Sequence, residues 1–412
     1  MRDLLPTLAD PETTRWRALE DAIRRCMAQN AYQEIRAPLL EETALFSRSV
    51  GEETDIVHKE MYSFAKGDEQ LTLRPEGTAG VVRAYIQGLT REPKPVKLFY
   101  IGPMFRHERP QAGRLRQFHQ AGVEVFGDAG PFMDVAVIRL ALSLFETLGL
   151  GDLTLHVNNI GDAASRTAFF HGFRERLAPH LSKTCPTCQR RYTSNPFRML
   201  DCKTETCQAL YADPSIETYL AGQWQSDASR EHFNAVLNGL DSLGAHYEVN
   251  HRLVRGLDYY NATVFEIVSS QLGAQGTVCG GGRYDALVQE LGGPATPGVG
   301  WALGMERLLS LCAQHALPTD PALDYYLVTD RPLEAMRIAE TLRARGFAAD
   351  TDLSGKGFGK QLAAADKRGA RFAVILGEAE AAAHTLTLKI LASGEQRTLS
   401  QDDFWASFAA EG

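Results

Sequence analysis

No stretch of this 412-residue chain approaches the roughly 18 consecutive apolar residues of a membrane helix, so a membrane span is not expected. The opening MRDLLPTLADPE lacks the basic-then-apolar order of a secretory signal, which points to the cytoplasm. There is no internal repeat and no low-complexity tract. Positive charge is not in excess either: 43 Lys and Arg stand against 51 Asp and Glu, a net charge of -8. That excludes indiscriminate coating of nucleic acid and leaves room only for local basic surface. Imidazole clusters are missing too. The only close histidine pair, His246 and His251, has an odd separation along an expected strand and so points to opposite faces. A catalytic metal held by histidines is not expected.

What is present reads as an ordinary globular protein, 44% apolar and 23% charged. Its length is too great for one hydrophobic core and implies two or three domains. Asp10, Pro11 and Glu12 carry an N-cap acid followed by proline, and Trp16, Leu19, Ile23 and Met27 then recur at helical spacing. Residues 134–148 form a second amphipathic pattern, able to cover one face of a sheet. Strands are expected over 32–40, 152–158, 247–255 and 263–269. Between them, 161–245 turns largely helical and reads as an insertion. Residues 314–321, with two prolines in a polar setting, suggest a linker. Beyond it come a strand at 324–328, helices at 332–345 and 358–369, and a strand at 370–376, a small separate α/β domain.

The chemistry concentrates in 98–127, LFYIGPMFRHERPQAGRLRQFHQAGVEVFG. Two apolar-alternating strands flank a loop, and residues 105–119 hold four arginines against one acid. Gln120, Gly122 and Glu124 follow at the period-2 spacing that places side chains on one face. Cations at the mouth and acceptors along the floor suit a ligand with phosphate at one end and donors at the other, such as a nucleotide beside an amino acid. Activating an amino acid requires its carboxylate to attack the α-phosphate of ATP, which needs positioning and cations but no protein nucleophile. Arginine forks match phosphate oxygens bidentately, and Arg106, Arg114, Arg255 and Arg307 all lie in segments a sheet would gather. The bland alternative for each is a surface ion pair, which suits Arg116 and Arg283 best and Arg106 least.

Further motifs stand in order along the chain: LTLRPEGT at 71–78, LVRGLDYY at 253–260, GGGRYD at 280–285 and GVGWALGMER at 298–307, with Pro38 closing the strand at 32–40. Any one is weak, since Gly-rich turns are common; together they are specific. With the hairpin, they resemble the signature motifs of class II aminoacyl-tRNA synthetases, and in detail the histidyl-tRNA synthetase family. The resemblance covers nearly the whole chain. It implies an α+β catalytic domain, an antiparallel sheet flanked by helices over 1–318, interrupted by a largely helical insertion at 161–245. A C-terminal α/β anticodon-binding domain at 323–412 completes the expected architecture.

It also implies roles. Arg106 and Arg255 flank the α-phosphate of ATP and Arg307 meets the γ-phosphate, with Glu108, Arg114 and Phe118 in the ATP site and Glu108 orienting ATP or its Mg²⁺. Glu76, Thr78 and Gln120 fall at the α-amino end of histidine, and Glu124 and Tyr260 at the imidazole, with Arg255, Tyr259 and Tyr284 in the same pocket. For Tyr259 and Tyr284 a buried ring whose hydroxyl meets backbone is an equal alternative. Arg109, Gln111 and Arg116 are placed to touch the acceptor end of histidine tRNA. Residues 356–371 hold five cations, Lys356, Lys360, Lys367, Arg368 and Arg371, against one acid; they would meet tRNA backbone phosphate, or form a solvated helix face. A homodimer is implied around Pro38. No editing site is discernible, and a fully paired polar pocket needs none.

Of seven cysteines, Cys185 and Cys188 form one pair and Cys202 and Cys207 a second, 13 residues on. They suit either a structural four-cysteine zinc knuckle or free thiols, disulfides not being expected in a reducing compartment. Cys26, Cys279 and Cys312 read as small buried residues. Two rival functions remain. A non-catalytic, histidine-binding paralogue such as the regulatory subunit of ATP phosphoribosyltransferase is opposed by the intact signature stretches, Arg307 and the terminal domain. A class II enzyme for another amino acid is opposed by Glu124 and the 255–260 stretch.

Overall fold

Val96–Phe105 and Gln117–Phe126, each rich in apolar and β-branched or aromatic residues, pair into the long antiparallel hairpin that organises the larger unit. The computed structural model describes residues 12–51, 54, 56–108, 114–312 and 323–407. Within it the larger unit lies in Trp16–Leu317 and a smaller one in Pro318–Gly412. The hairpin belongs to an eight-stranded sheet ordered Gln33–Glu34, Val96–Phe105, Gln117–Phe126, Gly298–Gly304, Thr277–Arg283, Asn261–Ser269, Leu153–Asn159 and Glu248–Val249. The six inner strands are antiparallel, as expected of this fold class, and only the two-residue edge strands pair in parallel.

One face is covered by the helix Pro131–Thr147, which packs on Gly298–Gly304 and Thr277–Arg283; the helix Asp227–Ser242 lies on it in turn. This helix begins three residues before the expected 134, because Pro131 takes its first turn, where a missing N–H costs nothing. In its first turn Asp134 is buried and receives Arg283, His232 and Thr263. Glu12–Gln29 forms the expected helix, with Trp16, Leu19, Ile23 and Met27 all buried; Asp10 and Pro11 lie outside the described residues.

Two expected strands shrink. Of 32–40 only Gln33–Glu34 joins the large sheet, and Leu40–Glu42 enters a separate three-stranded sheet with Glu69–Leu73 and Tyr62–Lys66. Pro38 has no N–H to give, and the carbonyls of Ala37 and Leu39 accept from Arg74 at 3.0 and 2.9 Å instead of from a strand. Of 247–255 only Glu248–Val249 pairs. Asn250 then turns the chain, its side-chain oxygen accepting from the Arg252 N–H at 3.1 Å and its carbonyl from the Leu253 N–H at 2.9 Å. His246 and His251 therefore do not share a strand.

The smaller unit carries a five-stranded sheet ordered Ala349–Thr351, Leu323–Thr329, Ala370–Leu376, Thr385–Ile390 and Gln396–Ser400, its first three strands parallel. Tyr325 and Leu327 pack with Ala335, Ala339 and Leu342 of the helix Pro332–Ala344, while Tyr326 and Val328 pack with Ala365 of Phe358–Lys367. The helices thus take opposite faces. The expected linker, 314–321, lies outside the described residues.

Candidate active site

Where the hairpin, the 253–260 loop and the Gly-rich strands converge, they enclose a cavity of about 230 Å³. Glu76, Thr78, Arg106, Glu108, Arg114, Phe118, Gln120, Arg255, Tyr259, Tyr260 and Arg307 all line it, although they are spread over more than two hundred residues of sequence. Its two ends differ in chemistry.

The first end is cationic. Arg106 donates from Nε to the Pro75 carbonyl at 2.8 Å and lies over the Phe118 ring at 5.2 Å, so its fork is aimed before any ligand arrives. Arg114 meets Glu108 at 3.2 Å, and Arg307 donates to the Thr277 carbonyl at 2.9 Å. Burial, then the neighbouring Arg114 and Arg106, hold Arg307 below the usual arginine range despite Glu108. Such crowding of guanidinium groups favours an anion in their midst. Glu306, next to Arg307 in the 298–307 motif, lines the same end, accepts from the His119 N–H at 2.9 Å and meets its Nδ1 at 3.0 Å. It ties the hairpin to the helix Met305–Cys312. Its place beside Arg307 was the available signal.

Arg255 stands between the ends. Burial opposes its charge, but Glu266, paired to its guanidinium, outweighs that and holds it above the usual arginine value. Its Nε has no partner. The space it occupies exists only because residue 280 is glycine, since a Cβ there would sit 2.3 Å from Nη2.

The second end is acidic and aromatic. Both Glu76 oxygens accept helix N–H groups, from Thr78 at 2.7 Å and Ala79 at 2.8 Å, which caps Thr78–Gly88. Burial nonetheless raises its pKa, the two N–H groups opposing. Glu124 is buried beneath the floor, and burial pushes its carboxyl up to about 8. One of its oxygens accepts from the Tyr284 hydroxyl; the other, like the side-chain oxygen of Gln120, has no partner. Gly300 permits this, because a Cβ would lie 2.2 Å from the carboxylate. The Tyr259 and Tyr260 rings pack at 4.6 Å between centroids, and burial pushes Tyr260 up to about 12.

Tyr284 does not reach the cavity wall; it is buried behind Glu124, and its hydroxyl meets that carboxylate rather than backbone. Arg283 is not on the surface. It is buried against Asp134, with further bonds to Asp285 at 3.0 Å and the Asp128 carbonyl at 3.0 Å. Arg116 is absent from the wall and offers its carbonyl to the Arg106 N–H at 2.9 Å. Arg109 and Gln111 lie outside the described residues. The four cysteine sulfurs gather within 4.8 Å of one another in the helical segment.

A family model for histidyl-tRNA synthetase matches residues 1–308, and one for an anticodon binding domain matches residues 327–411. The histidine–tRNA ligase of Synechococcus elongatus is 49% identical over 408 residues, covering 98% of this chain and 92% of that protein. That of a Cyanothece species is 50% identical over 408 residues, covering 98% and 93%. Among solved structures, apo S. aureus histidyl-tRNA synthetase is similar at a TM-score of 0.81 and 34% identity, over 99% of this chain and 98% of that one.

Proposed function

Since the chain belongs to the histidyl-tRNA synthetase family, and so activates histidine with ATP and joins it to histidine tRNA, we propose how its cavity divides that work. The carrying observation is that one cavity joins a cationic wall to an acid and tyrosine floor. The cationic end takes the triphosphate: Arg106 and Arg255 flank the α-phosphate, and Arg307 with Arg114 receives the departing pyrophosphate. The histidine carboxylate attacks phosphorus directly, so the side chains position and neutralise rather than react. Bound with ATP, magnesium would neutralise charge on the leaving phosphates, and Glu108, which lines that end, would hold it.

At the other end Gln120 and Glu76 take the α-ammonium group. Glu124, backed by Tyr284, takes the imidazole together with Tyr260. Its unpartnered oxygen and raised pKa suit a ring that can donate or accept a proton. An amino acid lacking those ring nitrogens leaves buried groups unpaired at about 1–3 kcal/mol each. The basic residues of the smaller unit, exposed at Lys356, Lys360, Lys367, Arg368 and Arg371, face tRNA phosphate. Arg109, Gln111 and Arg116 take the acceptor end. The working form is a cytoplasmic homodimer; among the described residues no helix is long and apolar enough to cross a membrane. The four-cysteine cluster holds structural zinc.

Histidine-dependent exchange of pyrophosphate into ATP tests the reading, with the other amino acids as controls. Exchange with histidine alone is expected. Binding of histidine without exchange would instead favour the silent histidine sensor.

A further inference from the structure

Resting on that reading, we propose that Cys185, Cys188, Cys202 and Cys207 hold one zinc ion whose task is to position Arg198. Through Arg198 the helical segment then clamps the 253–260 loop of the active site.

The sulfurs are arranged for an ion. Cys185 and Cys202 Sγ lie 3.7 Å apart, and a tetrahedron with Zn–S of about 2.3 Å has edges of about 3.8 Å. Each sulfur also accepts one hydrogen bond. Cys185 accepts from the Cys188 N–H at 3.4 Å, Cys188 from the Tyr211 hydroxyl at 3.3 Å, Cys202 from the Thr204 N–H at 3.5 Å and Cys207 from the Cys185 N–H at 3.2 Å. Donors aimed at every sulfur are the outer shell that a tetrathiolate centre requires. Cys188, Cys202 and Cys207 are buried, and four thiolates packed so closely would need a cation to offset their charge.

Up to Cys202 the chain forms helices of nine and four residues, Pro186–Ser194 and Phe197–Leu200, well below the length at which isolated helices persist. Phe197, Met199 and Leu200 anchor it in the apolar cluster, and a metal cross-link would close it at both cysteine pairs. Arg198 stands inside this closed segment, its carbonyl held by Arg191 at 2.9 Å. Its Nε meets Asp258 Oδ1 at 3.0 Å, and its Nη2 donates to the Gly256 carbonyl at 2.7 Å. Asn195 adds a bond to the same Asp258 oxygen at 3.1 Å. Gly256 lines the cavity beside Arg255, and Asp258 precedes Tyr259 and Tyr260. Three of the four cysteines share one buried cluster with those tyrosines. Arg198 is thus a positioning residue: it touches no substrate but sets the backbone that presents Arg255 and the two rings.

The test combines metal content with exchange kinetics on the full chain. Elemental analysis should find one equivalent of zinc, and cobalt substitution should give the charge-transfer band of a tetrathiolate site; Cys188→Ser should lose both. Arg198→Ala should keep its zinc and its circular dichroism yet lose about 10- to 100-fold in kcat/KM for histidine. Arg198→Lys, which retains the charge for Asp258 but not the fork that also reaches Gly256, should recover part of that loss. Protein grown with zinc that carries none, with all four thiols titratable, overturns the metal site. Zinc-loaded Arg198→Ala with parental kinetics overturns the positioning role. Should the parent lack exchange altogether, the functional reading fails separately, and calorimetric histidine affinity of parent and Arg198→Ala then decides the positioning.

Discussion

The eight-stranded sheet of the larger unit buries Glu76, Glu124, Asp134 and Arg283 within or beside its strands, whereas the five-stranded sheet of the smaller unit has Asp352 as its one buried acid among the described residues. Asp352 sits at a loop, bonded to Ser354 at 2.6 Å and facing Lys356 at 3.4 Å. The difference fits the proposed reading, in which histidine and ATP enter the interior of the first unit and nucleic acid meets the outside of the second. Polar groups of the first are buried, and burial raises the carboxyls of Glu76 and Glu124; the lysines and arginines over 356–371 of the second stay exposed.

The buried Arg283 and Asp134 pair offers the sharpest way to break that contrast. Arg283→Ala leaves Asp134 buried with only His232 and Thr263, and about 3–5 kcal/mol of stability should go. A denaturant midpoint within error of the parent would show that the first interior tolerates lost charge as the second would. Next in size, Arg255→Ala should reduce adenylate formation about 10²-fold or more while the protein stays folded, as for one preorganised donor. Unchanged turnover would remove Arg255 from the chemistry.

Glu124 gives a subtler effect through pH. Its folded pKa of about 8 lies above the ordinary 4.5, so between those values the folded state holds a proton the unfolded chain has released. Stability from this group is therefore greatest at low pH and falls as pH rises through that window; Glu76 acts in the same direction. Glu124→Gln should flatten the decline of Tm between about pH 5 and 8. A slope identical to the parent's would place the titration elsewhere. The smallest effect is expected in the smaller unit. Replacing Lys360 and Lys367 together with alanine should leave pyrophosphate exchange untouched and weaken tRNA binding, lowering its salt slope by about 1 per residue. A loss of exchange in that variant would erase the proposed division of labour.

Much of this was legible in the residues. The hairpin could be read because two apolar-rich strand segments flank an arginine-rich loop, and the helix over 131–147 because its apolar stripe is long. The strands at 32–40 and 247–255 were misjudged for a reason no local pattern carries. Arg74 claims the carbonyls of Ala37 and Leu39 from far along the chain, and Asn158 takes those of His251 and Leu253. Arg283 looked like a surface residue because its partner, Asp134, lies 149 positions away.

The sequence by itself determined the inventory: which segments alternate, which arginines and acids stand in motifs, and that four cysteines come in two pairs. Tertiary structure alone decided their partners. Whether a carboxylate caps a helix with both oxygens, as Glu76 does, or keeps one oxygen unpartnered, as Glu124 does, depends on burial and on neighbours brought in from other strands. Those quantities belong to a place in the fold and not to a residue type, which is why only the assembled sheet could assign them.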